Sequence, residues 1–372
     1  MGTAMAEPIL MHAAPELSAN LFHAVPVGIG DPFTYVEAAG RRIAVISVLD
    51  RDAVAATGVE IVDPSELGRD ELSAEGVDPL TADAELALRL LRELGLSTAV
   101  VPPDFPVFVA DHLRAGGLEL RPDADAFMRR RRVKTGVQLE GIMRAQAAAD
   151  AAMATARDLL TGLREGLTSE DVRRAMQAVC AEYEAELGDD VIVSSGPQSA
   201  VGHEAGSGPI SAGVPVIVDI WPRDKRSRCW ADMTRSFVAG GEKPSEEQAR
   251  YWQLSRDSLD RVLGAVRPGV AGGELFALSC EPFHEAGILT QLSKPPGTTL
   301  EEGYFHSLGH GVGLEIHERP YLGRASDDLV TGDVIAVEPG CYRRGFGGCR
   351  LESLVRVTES GGEVLTTFPY EL

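Results

Sequence analysis

Four acidic residues stand where a folded chain tolerates them least. Asp219 follows the apolar run Val216-Ile217-Val218, and Asp232 precedes Met233-Thr234-Arg235-Ser236-Phe237-Val238. Further on, Glu338 follows Val334-Ile335-Ala336-Val337, and Glu352 follows Cys349-Arg350-Leu351. Apolar, β-branched runs of this kind read as strands. A carboxylate carried into such a strand loses its hydration and must be paired or bound to a cation. Taken singly, each acid could be a surface residue, or half of an ion pair with Arg223, Arg228, Arg235 or Arg350. Four acids in matching places of two segments favour another reading: pointed at one another, they need about four positive charges between them, the number two divalent ions carry.

His306, His310 and His317 are interleaved with Gly303, Gly309, Gly311 and Gly313. A helical HExxH zinc site is excluded, since Ser307 stands where the Glu would be and the glycines discourage a helix. The glycines suit a close approach of backbone to a metal or substrate. His310 is the expected nitrogen ligand, and nitrogen beside carboxylates suits Mn, Co, Fe or Zn better than Mg or Ca. His203, His306 and His317 flank the acids, whereas His12, His23, His112 and His284 read as structural. Thr234 and Arg350 lie two residues from Asp232 and Glu352, each on the same strand face, and read as supports behind the ligands.

The elements that must position these residues repeat. A helix over 137–161, then a glycine hinge and second helix within 163–176, precede the glycine-rich segment around His203 and the hairpin bearing Asp219 and Asp232. A helix over 246–264, then a glycine hinge and second helix within 266–279, precede the segment around His310 and the hairpin bearing Glu338 and Glu352. Thr168 and Asp171 make a capping-box start. The pattern predicts a pseudo-twofold α/β domain with its site between the halves. The first 120 or so residues alternate strand-like runs (FTYV at 33–36, IAVISV at 43–48, TAVV at 98–101) with a helix over 82–94, N-capped by Thr81, striped by Leu86, Leu90, Leu91 and Leu94, and ended at Gly95. At 372 residues the chain is long for one core. Two α/β domains are expected, at 1–128 and 129–372, with the basic run RRRRVK at 129–134 a solvated or salt-bridged junction.

The strings KTGVQLEGIMRAQ, SGPQSAVGH, VIVDI…ADMTRSF, HSLGHGVGLEIHERP, VIAVEPGCY and RLE resemble the aminopeptidase P, prolidase and creatinase group of pita-bread metallopeptidases, the M24 family. The resemblance covers about 130–372 in motif order; the first 125 residues are similar to that group's N-terminal domain only in place and α/β character. It implies a pita-bread catalytic domain behind a smaller creatinase-type domain. It also implies a dinuclear centre, most expected with Mn, ligated by Asp219, Asp232, His310, Glu338 and Glu352, with Asp232 and Glu352 bridging and Arg350 supporting. His203, His306 and His317 would line the substrate side. The expected reaction is release of an N-terminal residue before proline by a hydroxide shared between the ions, with Glu338 as proton acceptor and His317, together with His306, at the developing oxyanion. The chain departs from the family in one place: thirteen residues separate Asp219 from Asp232, with Trp221, Pro222 and the charged run RDKRSR between. That loop could reach the substrate or a partner subunit, or be a solvated tip.

A formal charge of −21 disfavours nucleic acid and anionic lipid as partners. No apolar run is long enough for a membrane span. The N-terminus lacks a basic region before an apolar one, and five cysteines without a C-x-x-C pair suit free thiols in a reduced cytoplasm. A homodimer is what the resemblance suggests. Three alternatives remain open: an Xaa-Pro dipeptidase, a creatinase-type hydrolase of small C–N substrates, and a peptide-binding protein without catalysis.

Overall fold

The computed structural model describes residues 7–372. The chain divides between Arg131 and Arg132 into two compact units, each with its own apolar core. In the first unit, β1 (Ile9–Ala13), β2 (Phe33–Ala38), β3 (Arg41–Val45), β4 (Glu60–Val62), β5 (Thr98–Val101) and β6 (Glu119–Pro122) form one sheet in the order β4-β3-β2-β1-β5-β6. The pairs β1–β5, β3–β4 and β5–β6 are parallel and the other two antiparallel. The helix α1 (Pro79–Glu93) buries the expected Leu86, Leu90 and Leu91. It starts earlier than the sequence suggests. Asp78, not Thr81, is the N-cap, its carboxylate accepting the Thr81 N–H at 3.1 Å, because Pro79 is pre-set for the first helical turn.

The second unit is built twice from the same parts. The helices α2 (Gly136–Thr161) and α3 (Ser169–Glu182) form one pair, and α4 (Glu246–Ala265) and α5 (Gly272–Glu285) the other. Thr168 and Asp171 close the expected capping box, and Thr135 with Gln138 and Ser245 with Gln248 close two more, so the first N–H groups of these helices are satisfied. The first pair packs on an antiparallel sheet, β9-β8-β7, made of β7 (Ile192–Ser195), β8 (Pro215–Ile220) and β9 (Met233–Val238). Val172 and Met176 meet Val216, Val218 and Phe237 in its core. The second half contains β10 (Gly309–Gly311), β11 (Glu318–Leu322), β12 (Val334–Val337), the hairpin β13 (Gly340–Arg343) with β14 (Gly347–Arg350), β15 (Ser353–Thr358) and β16 (Gly361–Val364). Its main sheet runs β11-β10-β12-β15-β16. Leu259, Leu275 and Phe283 meet Ile335, Val337 and Val355 there. Every residue of β8 and β9 is buried, which is why these strands read as continuous apolar runs and not as alternation.

The basic run at the unit boundary is ion-paired. Arg130 meets Glu37, Arg132 forks onto Asp333 at 2.9 and 2.8 Å, and Lys134 meets Glu318. No helix among the described residues is long and apolar enough to cross a membrane. All five cysteines are buried free thiols.

Candidate metal centre

Asp219 lies on β8 directly opposite Thr234 on β9, and Asp232 is the residue before β9. Glu338 is the first residue after β12, and Glu352 follows β14 by two. His310 is the middle residue of β10, a strand wedged between β11 and β12. The wedge explains the glycines. A Cβ on Gly309 would stand 2.0 Å from the Ala336 carbonyl oxygen, and one on Gly311 would stand 2.2 Å from that of Arg319. The close approach read from the sequence is therefore to neighbouring backbone, and it is what admits His310 to the sheet.

These segments bring the four acids and His310 to one cavity of about 340 Å³, which Asp190, Ile192, His203, Trp221, Ile316, His317 and Arg350 also line. Ligand atoms of Asp232, His310 and Glu352, all buried, lie within 4.8 Å of one another. The His310 Nε2 is 3.7 Å from oxygens of both Asp232 and Glu338. Its Nδ1 lies 3.1 Å from the Gly311 carbonyl oxygen, which can only accept, so Nδ1 carries the proton and the Nε2 lone pair faces the acids. Burial, and then His317 beside it, hold the imidazole down to about 4, keeping it neutral.

The acids are far from balanced by the groups around them. Burial and then the Glu352 carboxylate push Asp232 well up; burial and then Glu338 do the same to Glu352. Glu338 is raised to about 8, chiefly by burial. Arg350 is the cation within the cluster. It donates to Asp219, to Thr234 Oγ1 at 3.2 Å, to the Tyr342 hydroxyl at 3.3 Å and to the Gly202 carbonyl at 3.4 Å. The other oxygen of Asp219, Oδ1, is buried without a hydrogen-bond partner. One guanidinium against four carboxylates, an orphaned carboxylate oxygen and an aimed imidazole lone pair fit divalent cations with mixed oxygen and nitrogen ligation.

Thr234 and Arg350 bond to the acids of the cluster and to each other. The Thr234 hydroxyl donates to Glu352 Oε2 at 2.7 Å while accepting from Arg350. His203 and His317 are exposed at the cavity, the His317 ring 4.1 Å from that of His310, centroid to centroid, and tilted by 71°. His306 is turned inward. Its Nδ1 donates to the Ser307 carbonyl at 2.8 Å and its Nε2 accepts the Tyr342 hydroxyl at 2.8 Å, so neither nitrogen is free to meet an oxyanion. It forms a wall of a second cavity, of about 680 Å³, that shares His203, His310, His317, Glu338 and Arg350 with the first. His12, His112 and His284 bond Thr34, Glu85 and Thr290, as structural histidines do.

The long hairpin between Asp219 and Asp232 is packed at Asp224 and Ser227, while Lys225 and Arg226 at its tip are exposed. Asp224 is buried, forked by Arg144 at 2.9 Å twice and bonded by Ser227; Trp221 lines the cavity. Trp221 lies in the loop that the sequence reading allowed to reach the substrate, whereas Tyr342, Ile192, Ile316 and Asp190 are lining residues that it missed. Tyr342 alone had a local signal, four residues beyond Glu338 in a strand-like string.

The profile of metallopeptidase family M24 matches residues 140–359. The chain belongs to that family. It is 33% identical over 243 residues to the Xaa-Pro dipeptidase of Pyrococcus furiosus, covering 64% of each chain, and 32% identical over 251 residues to the probable dipeptidase PepE of Mycobacterium bovis, covering 67% of this chain and 62% of that one. The matched stretch thus spans less than two thirds of either relative. Among solved structures, an Xaa-Pro dipeptidase from Bacillus anthracis superposes with a TM-score of 0.80 at 25% identity, over 98% of this chain and 94% of that one. A prolidase from Pyrococcus furiosus gives 0.78 at 22% over 98% and 97%, a likeness of fold. The pita-bread fold of the M24 family, with its smaller leading α/β unit, is thus the architecture of nearly the whole chain.

Proposed function

We propose that this M24 protein hydrolyses the peptide bond between an N-terminal residue and proline, with two divalent ions, manganese foremost, held by Asp219, Asp232, His310, Glu338 and Glu352. The observation that carries this reading is the cavity ringed by four carboxylates and a neutral imidazole with one compensating guanidinium. When bound, such ions supply a nucleophile near neutral pH and polarise the scissile carbonyl. Glu338 has a partly open side chain and a raised proton affinity; it accepts the proton of the attacking water and returns it to the leaving nitrogen. His317, beside His310 at the cavity mouth, donates to the carbonyl oxygen as charge develops there. His203 faces the leaving side. His306, Tyr342 and Phe305 wall that side with rings suited to a proline, whose amide nitrogen offers no N–H to satisfy.

Dipeptides are the first substrates to try, because the curated relatives are dipeptidases by name. The aminopeptidase reading is favoured by the second cavity, roomier than a proline ring requires. The test strips the protein of metal, adds manganese, and follows release of the N-terminal residue from Xaa-Pro, Xaa-Pro-Xaa and Xaa-Ala-Xaa. Metal-restored, proline-selective cleavage is expected, and the better of the two proline substrates assigns the length preference. Equal cleavage of the alanine peptide would refute the proline reading.

A further inference from the structure

The turn at 312–318 carries Ile316 and His317 to the cavity, and side chains remote in sequence hold both of its ends. At one end, Glu318 makes an ion pair with Lys134, the two side chains only 2% and 3% exposed. Its second oxygen accepts the Glu315 N–H at 3.4 Å. Gly313 makes room for the pair: a Cβ there would lie 2.3 Å from Glu318 Oε1 and 2.9 Å from Lys134 Nζ. At the other end Trp230, from the long hairpin that departs from the family spacing, donates its backbone N–H to the Gly313 carbonyl at 2.8 Å and its indole N–H to the Leu314 carbonyl at 3.2 Å. Arg223 stacks over that indole at 5.1 Å, tying the brace back to its own hairpin. Gly313 N–H closes the turn on the Glu315 carbonyl at 3.1 Å.

A buried ion pair contributes little net stability compared with a well-packed apolar pair of the same volume. Fixing geometry is what this one does that an apolar pair could not, because Glu318, the residue after His317, bonds back to the Glu315 N–H at a defined point of the turn. We infer that Lys134, Glu318 and Trp230 are positioning residues that set where the His317 ring stands over the cavity, and that the long hairpin exists in this chain to supply Trp230. The inference rests on the role proposed above for His317.

The manganese-loaded full-length protein tests it. Trp230→Phe keeps the ring and removes the indole N–H; Glu318→Gln keeps the shape and removes the charge. Each is measured alone and combined with His317→Ala, for kcat, KM and bound metal. Loosening an aimed group lowers kcat steeply for small displacements, so Glu318→Gln is expected to lower kcat about 10- to 100-fold and Trp230→Phe about 3- to 10-fold. KM and metal content should stay near those of the parent, and Lys134→Arg should retain most activity. In the His317→Ala background neither change should cost anything further, since residues that act through one group are not additive. Additive losses with an impaired His317→Ala protein would overturn this inference and leave the function proposed above standing. A fully active His317→Ala protein would overturn both. Should Glu318→Gln not fold, the Trp230→Phe cycle decides alone.

Discussion

Thr234 joins the two halves of the acid cluster through a single oxygen. Its hydroxyl spends its one proton on Glu352 and its lone pair on Arg350, which in turn holds Asp219. Thr234→Val keeps the shape and cuts both links. The expected result is a roughly 10- to 100-fold loss of metal affinity, the usual cost of removing a partner behind a ligand, read by titration with manganese; unchanged affinity would refute the role. Glu338 adds a pH dependence with a definite sign. Its carboxyl ionises at an ordinary value of 4.5 in the unfolded chain and at about 8 in the folded site. The folded state therefore keeps a proton that the unfolded state has released, and stability falls as pH rises between these values. His310 acts the opposite way, losing stability only as pH falls from 6.5 to about 4. Between pH 6.5 and 8 the His310 effect is spent, and Glu338 acts together with the raised Asp232 and Glu352 in one direction. The metal-free protein should melt at progressively lower temperature across that window, and excess manganese should reverse the drop, because bound cations replace the protons. A melting temperature that climbs with pH there would contradict the charge balance described for the site.

At the level of elements, β10 is the piece on which the centre depends, since three residues carry His310 between two other strands. Gly309→Ala places a methyl against the Ala336 carbonyl, closer than any real Cβ contact. Overpacking of this kind costs about 1–3 kcal/mol or more. Here the strand must move and carry the imidazole with it, so calorimetry should show the loss together with weakened metal binding. A loss of stability with metal affinity intact would place His310 outside the ligand set. The elements were largely legible beforehand because their signals are local. The capping box at Thr168, the apolar runs feeding Asp219 and Glu338, and the leucine stripe of α1 are each written within a few residues. Apart from one cap, what was misread depends on partners far along the chain. Asp78 displaced Thr81 as a cap through competition at one turn. The purpose of Gly309 and Gly311 depends on strands that end more than ten residues away, and the inward turn of His306 on a tyrosine thirty-six residues on. The packed base of the hairpin at 221–230 is not visible in the sequence, because its charges are answered by Arg144 and Glu186, well upstream.

Over the whole molecule the charge of −21 acts on substrates before any contact forms. A field of that sign raises the local concentration of cationic solutes and repels anionic ones. In the metal-loaded enzyme the ions balance the carboxylates of the cavity, so the steering falls to the surface charge. A peptide with lysine after the proline should therefore show a higher kcat/KM than one with glutamate at the same place, and the difference should lie in encounter and not in chemistry. Salt separates the two. At about 0.5 M the Debye length is down to roughly 4 Å, so surface charges no longer steer, while groups in contact inside the cavity still interact. The lysine-to-glutamate ratio should fall several-fold between low salt and 0.5 M, with kcat nearly constant for each peptide. A ratio that salt leaves unchanged would assign the preference to a charged contact within the second cavity, and a ratio of one at low salt would mean that the surface charge is arranged away from the mouth of the site.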